Sequence, residues 1–282
     1  MKRLVATTST SCLDYVEHDY DIYTIRIKID MNGTLKDDGS EIKADEFYRL
    51  MSEDKHLVPK TSQPSIGELV DVFEGYAEQG YEEIIVTTIS SKLSGTYNGV
   101  CKAAEILADK IKIIPFDTKT VCYNEGHFAL TAAKMIREGA STEEIIKKLE
   151  FMREHNTILF AVDSLECLVK NGRLSGAAGF IGTFLKIKPL LQVLEDGSIQ
   201  AVDKIRTTKK ALEVVCDRIS EYVKGHKFFA TIVYTGDELK QYLIDTLKEK
   251  TGMEGLAEHP ASPVVGCHVG AQAIGIGAFL LD

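Results

Sequence analysis

The stretch IIVTTISSKLSGTY, residues 84–97, decides the fold. A β-branched apolar run (Ile84, Ile85, Val86, Ile89) stops in Ser90, Ser91, Lys92, Leu93, Ser94, Gly95 and Thr96, and an amphipathic helical pattern follows. Near-continuous apolar character is the habit of a strand covered on both faces, as in parallel sheets. A buried strand, a hydroxyl-rich turn and a helix N-terminus, in that order, hold small anions at the carboxyl end of an α/β sheet. Backbone N–H groups and the helix dipole favour negative charge there. The turn has neither the Gly-x-x-x-x-Gly-Lys-Ser/Thr phosphate loop nor the Gly-x-Gly-x-x-Gly dinucleotide fingerprint. Serine and threonine dominate it, which suits a carboxylate better than a pyrophosphate. An ordinary capped loop has the same composition, so one such turn leaves both readings open.

A second turn of the same kind lies upstream. Pro59-Lys60-Thr61-Ser62-Gln63-Pro64-Ser65 precedes Ile66, Leu69, Val70, Phe73 and Ala77, whose spacing traces one helix face. Ser65 with Glu68 forms a capping box. Thr61 and Ser62 then fall just outside the helix, where they can face a ligand.

Outward from these turns the chain alternates. Leu4–Thr8 reads as a strand, and Ile25, Ile27 and Ile29 alternate with Arg26 and Lys28 as a half-exposed strand. Helices are expected at Ala44–Met51, after Ser65, from about Thr96 to Leu107, at Phe128–Ile136 and at Ile145–Met152, with further strands at Ile84–Ile89 and Ile111–Phe116. Strands alternating with helices imply a mostly parallel sheet covered on both faces. The second half adds a strand at Ile158–Val162 and a hairpin, Pro189–Leu194 and Ile199–Ile205, turning at Asp196-Gly197. Strands at Phe228–Tyr234 and Ala273–Leu281 and helices near Leu174–Leu185, Thr208–Tyr222 and Leu239–Lys250 complete it. The expectation is a two-domain α/β protein, with a mostly parallel N-terminal domain over residues 1–155 and a mixed C-terminal domain over residues 156–282.

Composition excludes several classes. A length of 282 residues suits two domains, and a net charge of −9 leaves no basic excess for nucleic acid. Six scattered cysteines without a Cys-x-x-Cys read as reduced thiols, with neither a disulfide frame nor a metal site. No apolar run reaches the ~18–20 residues of a membrane span, and the opening MKRLVATTST is too short in apolar residues for a signal peptide. A cytoplasmic protein without stable membrane insertion is expected.

Seven motifs give the chain a resemblance. They are Thr61-Ser62-Gln63-Pro64-Ser65, Ser90–Thr96, Phe116-Asp117-Thr118, Gly172-Arg173-Leu174-Ser175-Gly176, Ile187-Lys188-Pro189-Leu190-Leu191, Arg206–Ala211 and Gly266-Cys267-His268-Val269-Gly270. Their order and spacing resemble the DegV family over nearly the whole chain. The chain departs from that pattern at Thr7-Thr8-Ser9, where Thr-Asp-Ser is usual, at Asp203-Lys204, where Gly-Arg is usual, and at Gly270-Ala271-Gln272, where Gly-Pro-Gly is usual.

The resemblance implies a fatty-acid-binding subunit of a bacterial fatty-acid kinase, which holds a free long-chain fatty acid and presents its carboxylate to a separate kinase subunit. On that reading Thr61, Ser62, Ser94, Gly95 and Thr96 hold the carboxylate and His268 joins them from the second domain. Arg173 and Arg206 lie in family motifs and would face the acyl-phosphate or the kinase. The uncharged, glycine-bearing segment Leu174–Leu185 reads on its residues alone as a buried helix, and with the resemblance as the tunnel wall, lined by Ala177, Phe180, Ile181 and Phe184. The resemblance calls for no cofactor and no catalytic residue. Two other classes share the same features: a hydrolase or acyl transferase at the interdomain cleft, and a lipid-sensing regulatory protein. Ser94 and His268 would be the enzyme's nucleophile and base, but no Gly-x-Ser-x-Gly elbow or third residue accompanies them.

Overall fold

The computed structural model describes residues 1–54, 57–174, 187–236 and 238–282. Its first sheet is parallel throughout, formed by β1 (Arg3–Thr8), β2 (Ile22–Ile25), β6 (Glu83–Thr88) and β7 (Lys112–Asp117) in the order β2-β1-β6-β7. Alternation sends successive side chains of these buried strands to opposite faces. Leu4, Ala6, Ile84 and Val86 pack against α2 (Ile66–Glu78) and α3 (Thr96–Ile106). Val5 and Ile85 pack against α4 (Tyr123–Arg137) and α5 (Thr142–Glu154). Serine capping boxes open α2 at Ser65 and α5 at Ser141, each closed by a glutamate three residues on.

The run Ile25–Ile29, expected as one strand, is two. β2 ends at Ile25, and β3 (Lys28–Met31) begins a separate small sheet with β4 (Thr34–Asp37) and β5 (Lys60–Ser62), in the order β4-β3-β5. At the break the Ile27 N–H donates to Ser9 Oγ at 3.2 Å, and its carbonyl accepts from the Asp38 N–H at 3.1 Å. The backbone stays satisfied while the chain changes sheets, so the period-two pattern runs on across the junction. The Thr61 segment, expected as a turn, is the edge strand β5, with Thr61 paired to Ile29. The helix α1 (Ala44–Glu53) packs beside this sheet, with Ile29, Ile42 and Phe47 in one cluster.

The third sheet is mixed, in the order β10-β9-β8-β13-β11-β12, with β8 (Asn156–Val162), β9 (Lys188–Val193), β10 (Ile199–Ile205), β11 (Phe228–Tyr234), β12 (Ala257–Pro260) and β13 (Ala273–Leu280). Only the β11–β12 pair is parallel. One face, with Leu159, Ala161, Ile232 and Ile276, is covered by α7 (Thr208–Val223) and α8 (Lys240–Thr251). The other face, with Ile158, Phe160, Leu191 and Ile199, meets loops of the parallel sheet and the short helices α6 (Glu166–Lys170) and α9 (Pro263–Val269). The expected helix at Leu174–Leu185 lies, beyond Leu174, outside the described residues.

Candidate functional site

The chain leaves β1 toward β2 on one side of the parallel sheet, and β6 lies on the other. Such a reversal opens a crevice at the carboxyl ends of the two central strands. Thr10 follows β1, Ile89, Leu93 and Ser94 follow β6, and Val121 and Cys122 follow β7. All six line a cavity of about 300 Å³ between these loops and the second face of the mixed sheet. Ligand pockets span roughly 300–1,000 Å³.

Polar groups gather on part of the wall: Thr61, Ser62, Gln63, Ser94, Arg173 and His268. Thr61 Oγ1 and His268 Nε2 stand 3.0 Å apart. Burial pushes His268 down to about 4, and the Arg173 cation adds to the effect, so the imidazole is neutral at pH 7. Among the described residues its buried Nδ1 has no partner. The neutral imidazole and the Thr61 hydroxyl share one hydrogen bond, in which either partner can donate.

Ser94 shapes its own turn. Its Oγ accepts the Thr96 N–H at 3.2 Å and lies 2.9 Å from Thr96 Oγ1. At Gly95 a Cβ would fall 2.2 Å from Gln63 Oε1, so any side chain there would turn the flexible Gln63 end away. Arg173 is half-buried and fixed, with Nε donating to the Leu93 carbonyl at 3.2 Å and a second nitrogen donating to the Asn171 carbonyl.

The rest of the wall is apolar. Ile158 and Phe160 project from β8, Ile199 from β10, Leu168 from α6, and Val265 and Val269 from α9. Gly275 of β13 lies opposite Phe160, and a Cβ there would come within 2.4 Å of the Phe160 Cβ and of the Leu159 carbonyl oxygen, so the missing side chain lets β8 approach closely. The expected tunnel residues Ala177, Phe180, Ile181 and Phe184 lie outside the described residues.

Three braces hold the loops. Asp117 Oδ1 accepts the Ser91 N–H at 3.2 Å and the Lys119 N–H at 3.0 Å. Ser90 Oγ donates to the Gly197 carbonyl at 2.8 Å, tying the hydroxyl turn to the β9–β10 hairpin tip. Beneath Thr10, the buried Glu125 accepts from Thr10 Oγ1 at 2.6 Å, from the Thr8 N–H at 3.3 Å and from the Thr8 hydroxyl. Burial pushes this carboxyl up to about 8, against the pull of those threonine hydrogen bonds. Thr8 is thus held by a carboxyl from α4.

Of the sequence-derived residues, the structure brings Thr61, Ser62, Ser94, Arg173 and His268 together. Thr96 and Gly95 stand behind the wall: Thr96 is buried and its N–H is taken by Ser94. Arg206 is exposed at the end of β10 and is not part of the cavity wall. His268 sits on α9, which Ser262 and Pro263 open ahead of the β-branched Val264-Val265 pair. Sequence reasoning missed Thr10, Gln63 and Cys122. Gln63 stands inside a quoted motif and carried its own signal, whereas the other two are defined by distant partners.

These features define an α/β fold whose parallel and mixed sheets close over a mostly apolar pocket at a topological switch point. The chain belongs to the DegV family, whose model, described as that of an uncharacterised protein, matches residues 2–280. A DegV domain-containing protein of Staphylococcus aureus strain N315 is 36% identical over 98% of this chain and 97% of its own length. The crystal structure of DegV, a fatty acid binding protein from Bacillus subtilis, matches with a TM-score of 0.87 at 32% identity, covering 99% of each chain. A fatty acid binding DegV family protein from Streptococcus agalactiae matches with a TM-score of 0.90 at 28% identity, covering 100% of each chain. Among the described residues no helix is long and apolar enough to cross a membrane.

Proposed function

We propose that this chain binds a long-chain fatty acid in the cytoplasm and presents its carboxylate to a separate kinase subunit for acyl-phosphate formation. The observation that carries the reading is an apolar cavity with the Thr61–His268 pair, Ser94 and Arg173 in its wall. Each CH₂ withdrawn from water contributes about 0.8 kcal/mol, and hydroxyl donors suit a carboxylate. Residues 1–155 would supply Thr61, Ser62 and Ser94, and residues 156–282 would supply His268 and the acyl wall. The fatty acids bound by the Bacillus and Streptococcus proteins support the same ligand class. Arg173 would steady the head group, while the exposed Arg206 would meet the kinase.

The hydrolase reading is weaker on geometry. His268 pairs with Thr61, and Ser94 pairs with Thr96, so among the described residues no base is bonded to the serine. Organic extraction of the purified protein followed by mass spectrometry tests the ligand: intact fatty acid in near-stoichiometric amount is expected, and its absence together with failure to bind added palmitate would refute the reading. With ATP and magnesium, acyl-phosphate should form only when a fatty-acid kinase subunit is added.

A further inference from the structure

Cys12 and Cys122 differ from the other four cysteines in backbone and in place. Cys12 ends the 3-10 turn after β1 with φ 61° and ψ 14°, and Cys122 precedes α4 with φ 60° and ψ −150°. The first is left-handed, and the second lies in a region otherwise left to glycine, a kind of strain that clusters at functional sites. The two side chains are buried in one cluster, where burial and then the neighbouring Cys122 push the Cys12 thiol up. Cys12 Sγ also lies 3.5 Å from the Thr10 carbonyl. Cys12 has no exposed surface, whereas Cys122 lines the cavity. A reagent therefore meets Cys122 first, at the N-cap of the 15-residue α4.

We propose that Cys12 and Cys122 form a dithiol centre in the cavity wall that a lipophilic organic hydroperoxide, entering where the acyl chain lies, oxidises to a disulfide. The Cys122 sulfur attacks the terminal oxygen of the hydroperoxide. The O–O bond breaks, the organic oxygen takes the thiol proton and leaves as the alcohol, and Cys122 becomes a sulfenic acid. Cys12 sulfur then attacks that sulfur, an S–S bond forms and water departs. The two cysteines lose two electrons and the hydroperoxide gains them, and a small dithiol reductant restores the pair. Burial, and after it the neighbouring Cys122, push the Cys12 thiol up, so Cys12 gives up its proton only as it attacks, and that proton leaves with the departing hydroxide as water. The bond would join the loop after β1 to the loop before α4 at the cavity wall. The route of access, though not the dithiol itself, rests on the fatty-acid reading of the cavity.

The test exposes the reduced, full-length protein to cumene hydroperoxide, blocks remaining thiols with iodoacetamide after denaturation, and maps peptides by mass spectrometry. Expected are a Cys12–Cys122 linked peptide pair, cumyl alcohol in a 1:1 ratio to the disulfide, and Cys101, Cys167, Cys216 and Cys267 still open to alkylation. Stearate loaded beforehand should slow the linkage at least tenfold. In Cys12→Ser, Cys122 should instead give a sulfenic acid trapped by dimedone; if that variant does not fold, the wild-type map alone decides. Absence of the linkage, or a different cysteine pairing, overturns the dithiol. Linkage at an unchanged rate in protein shown by titration to hold stearate overturns access through the cavity. Failure of stearate to bind counts against the fatty-acid reading, and the peptide map still decides the dithiol.

Discussion

Thr61 joins two constraints in one side chain: its backbone pairs with Ile29 in an edge strand, and its hydroxyl meets His268 from the far end of the chain. Replacing it by the isosteric valine keeps the strand and removes the donor. With Ser94→Ala added, fatty-acid affinity should fall more than tenfold, since hydrogen bonds to a charged group contribute roughly 1.5–3 kcal/mol each. Titration with a fluorescent fatty acid measures this, and unchanged affinity in the folded double variant would remove both hydroxyls from the site. The two arginines should separate. Arg173→Ala should weaken binding and let the His268 titration move up, because the Arg173 cation helps depress it, whereas Arg206→Ala should leave binding unaltered. NMR titration of His268 beside the binding curve checks the pair, and equal losses in both variants would contradict the geometry. Thr61 and Ser94 were legible in the sequence because a hydroxyl-rich turn beside a helix start is a local pattern. Thr10 and Cys122 were not, because what makes them part of the wall is a sheet face formed more than 30 residues away.

Elements with local signals were read correctly, and those defined by a change of partner were not. The capping box at Ser65 sits where the serine–glutamate spacing put it. By contrast, Ile25–Ile29 kept its alternation while leaving one sheet for another, and no side-chain pattern marks such a break. The Asp196-Gly197 hairpin was legible as a turn, but its docking was not. Gly197 has φ +85°, and a Cβ there would lie 2.1 Å from Ser90 Oγ. Gly197→Ala should therefore destabilise the fold by about 1–2 kcal/mol from the left-handed backbone alone, and loosen the hydroxyl turn that Ser90 anchors. Urea unfolding, compared with Gly225→Ala, tests the docking: Gly225 has φ +82° with nothing within 4 Å of its Cβ position. A larger loss at Gly197 is expected, and equal losses would mean that the Ser90 contact contributes nothing.

Across the whole molecule, the layers were legible from period and length, but their meeting was not, because it depends on contacts such as Ser90 with Gly197 and Tyr48 with the Ala261 carbonyl. Four of the buried titratable groups have pH effects that oppose one another. Burial raises Asp38 to about 7 and Glu125 to about 8, and it lowers His127 and His268 to about 4. A raised carboxyl stabilises the fold fully below its unfolded value, and that stability is lost as pH rises through the folded one. A lowered histidine contributes stability above about 6.5 that is lost as pH falls toward 4. Between about pH 4.5 and 6.5 the two losses run in opposite directions and largely cancel. Above 6.5 only the carboxyls act, each at about 1.4 kcal/mol per pH unit. Asp38 stops near 7 and Glu125 near 8, so stability should fall by roughly 2–3 kcal/mol from pH 6.5 to 8. Glu125→Gln keeps the shape, cannot ionise and still meets the Thr8 and Thr10 hydroxyls, so it should remove more than half of that decline while changing stability at pH 6 little. Because Glu125 braces Thr10 in the cavity wall, ligand retention in the wild type should weaken over the same range and recover in the variant. Denaturation midpoints and fatty-acid off-rates at half-unit steps from pH 5.5 to 8.5 measure both. Parallel declines in the two proteins would show that Glu125 is already ionised in the fold and that the threonine network alone holds its charge.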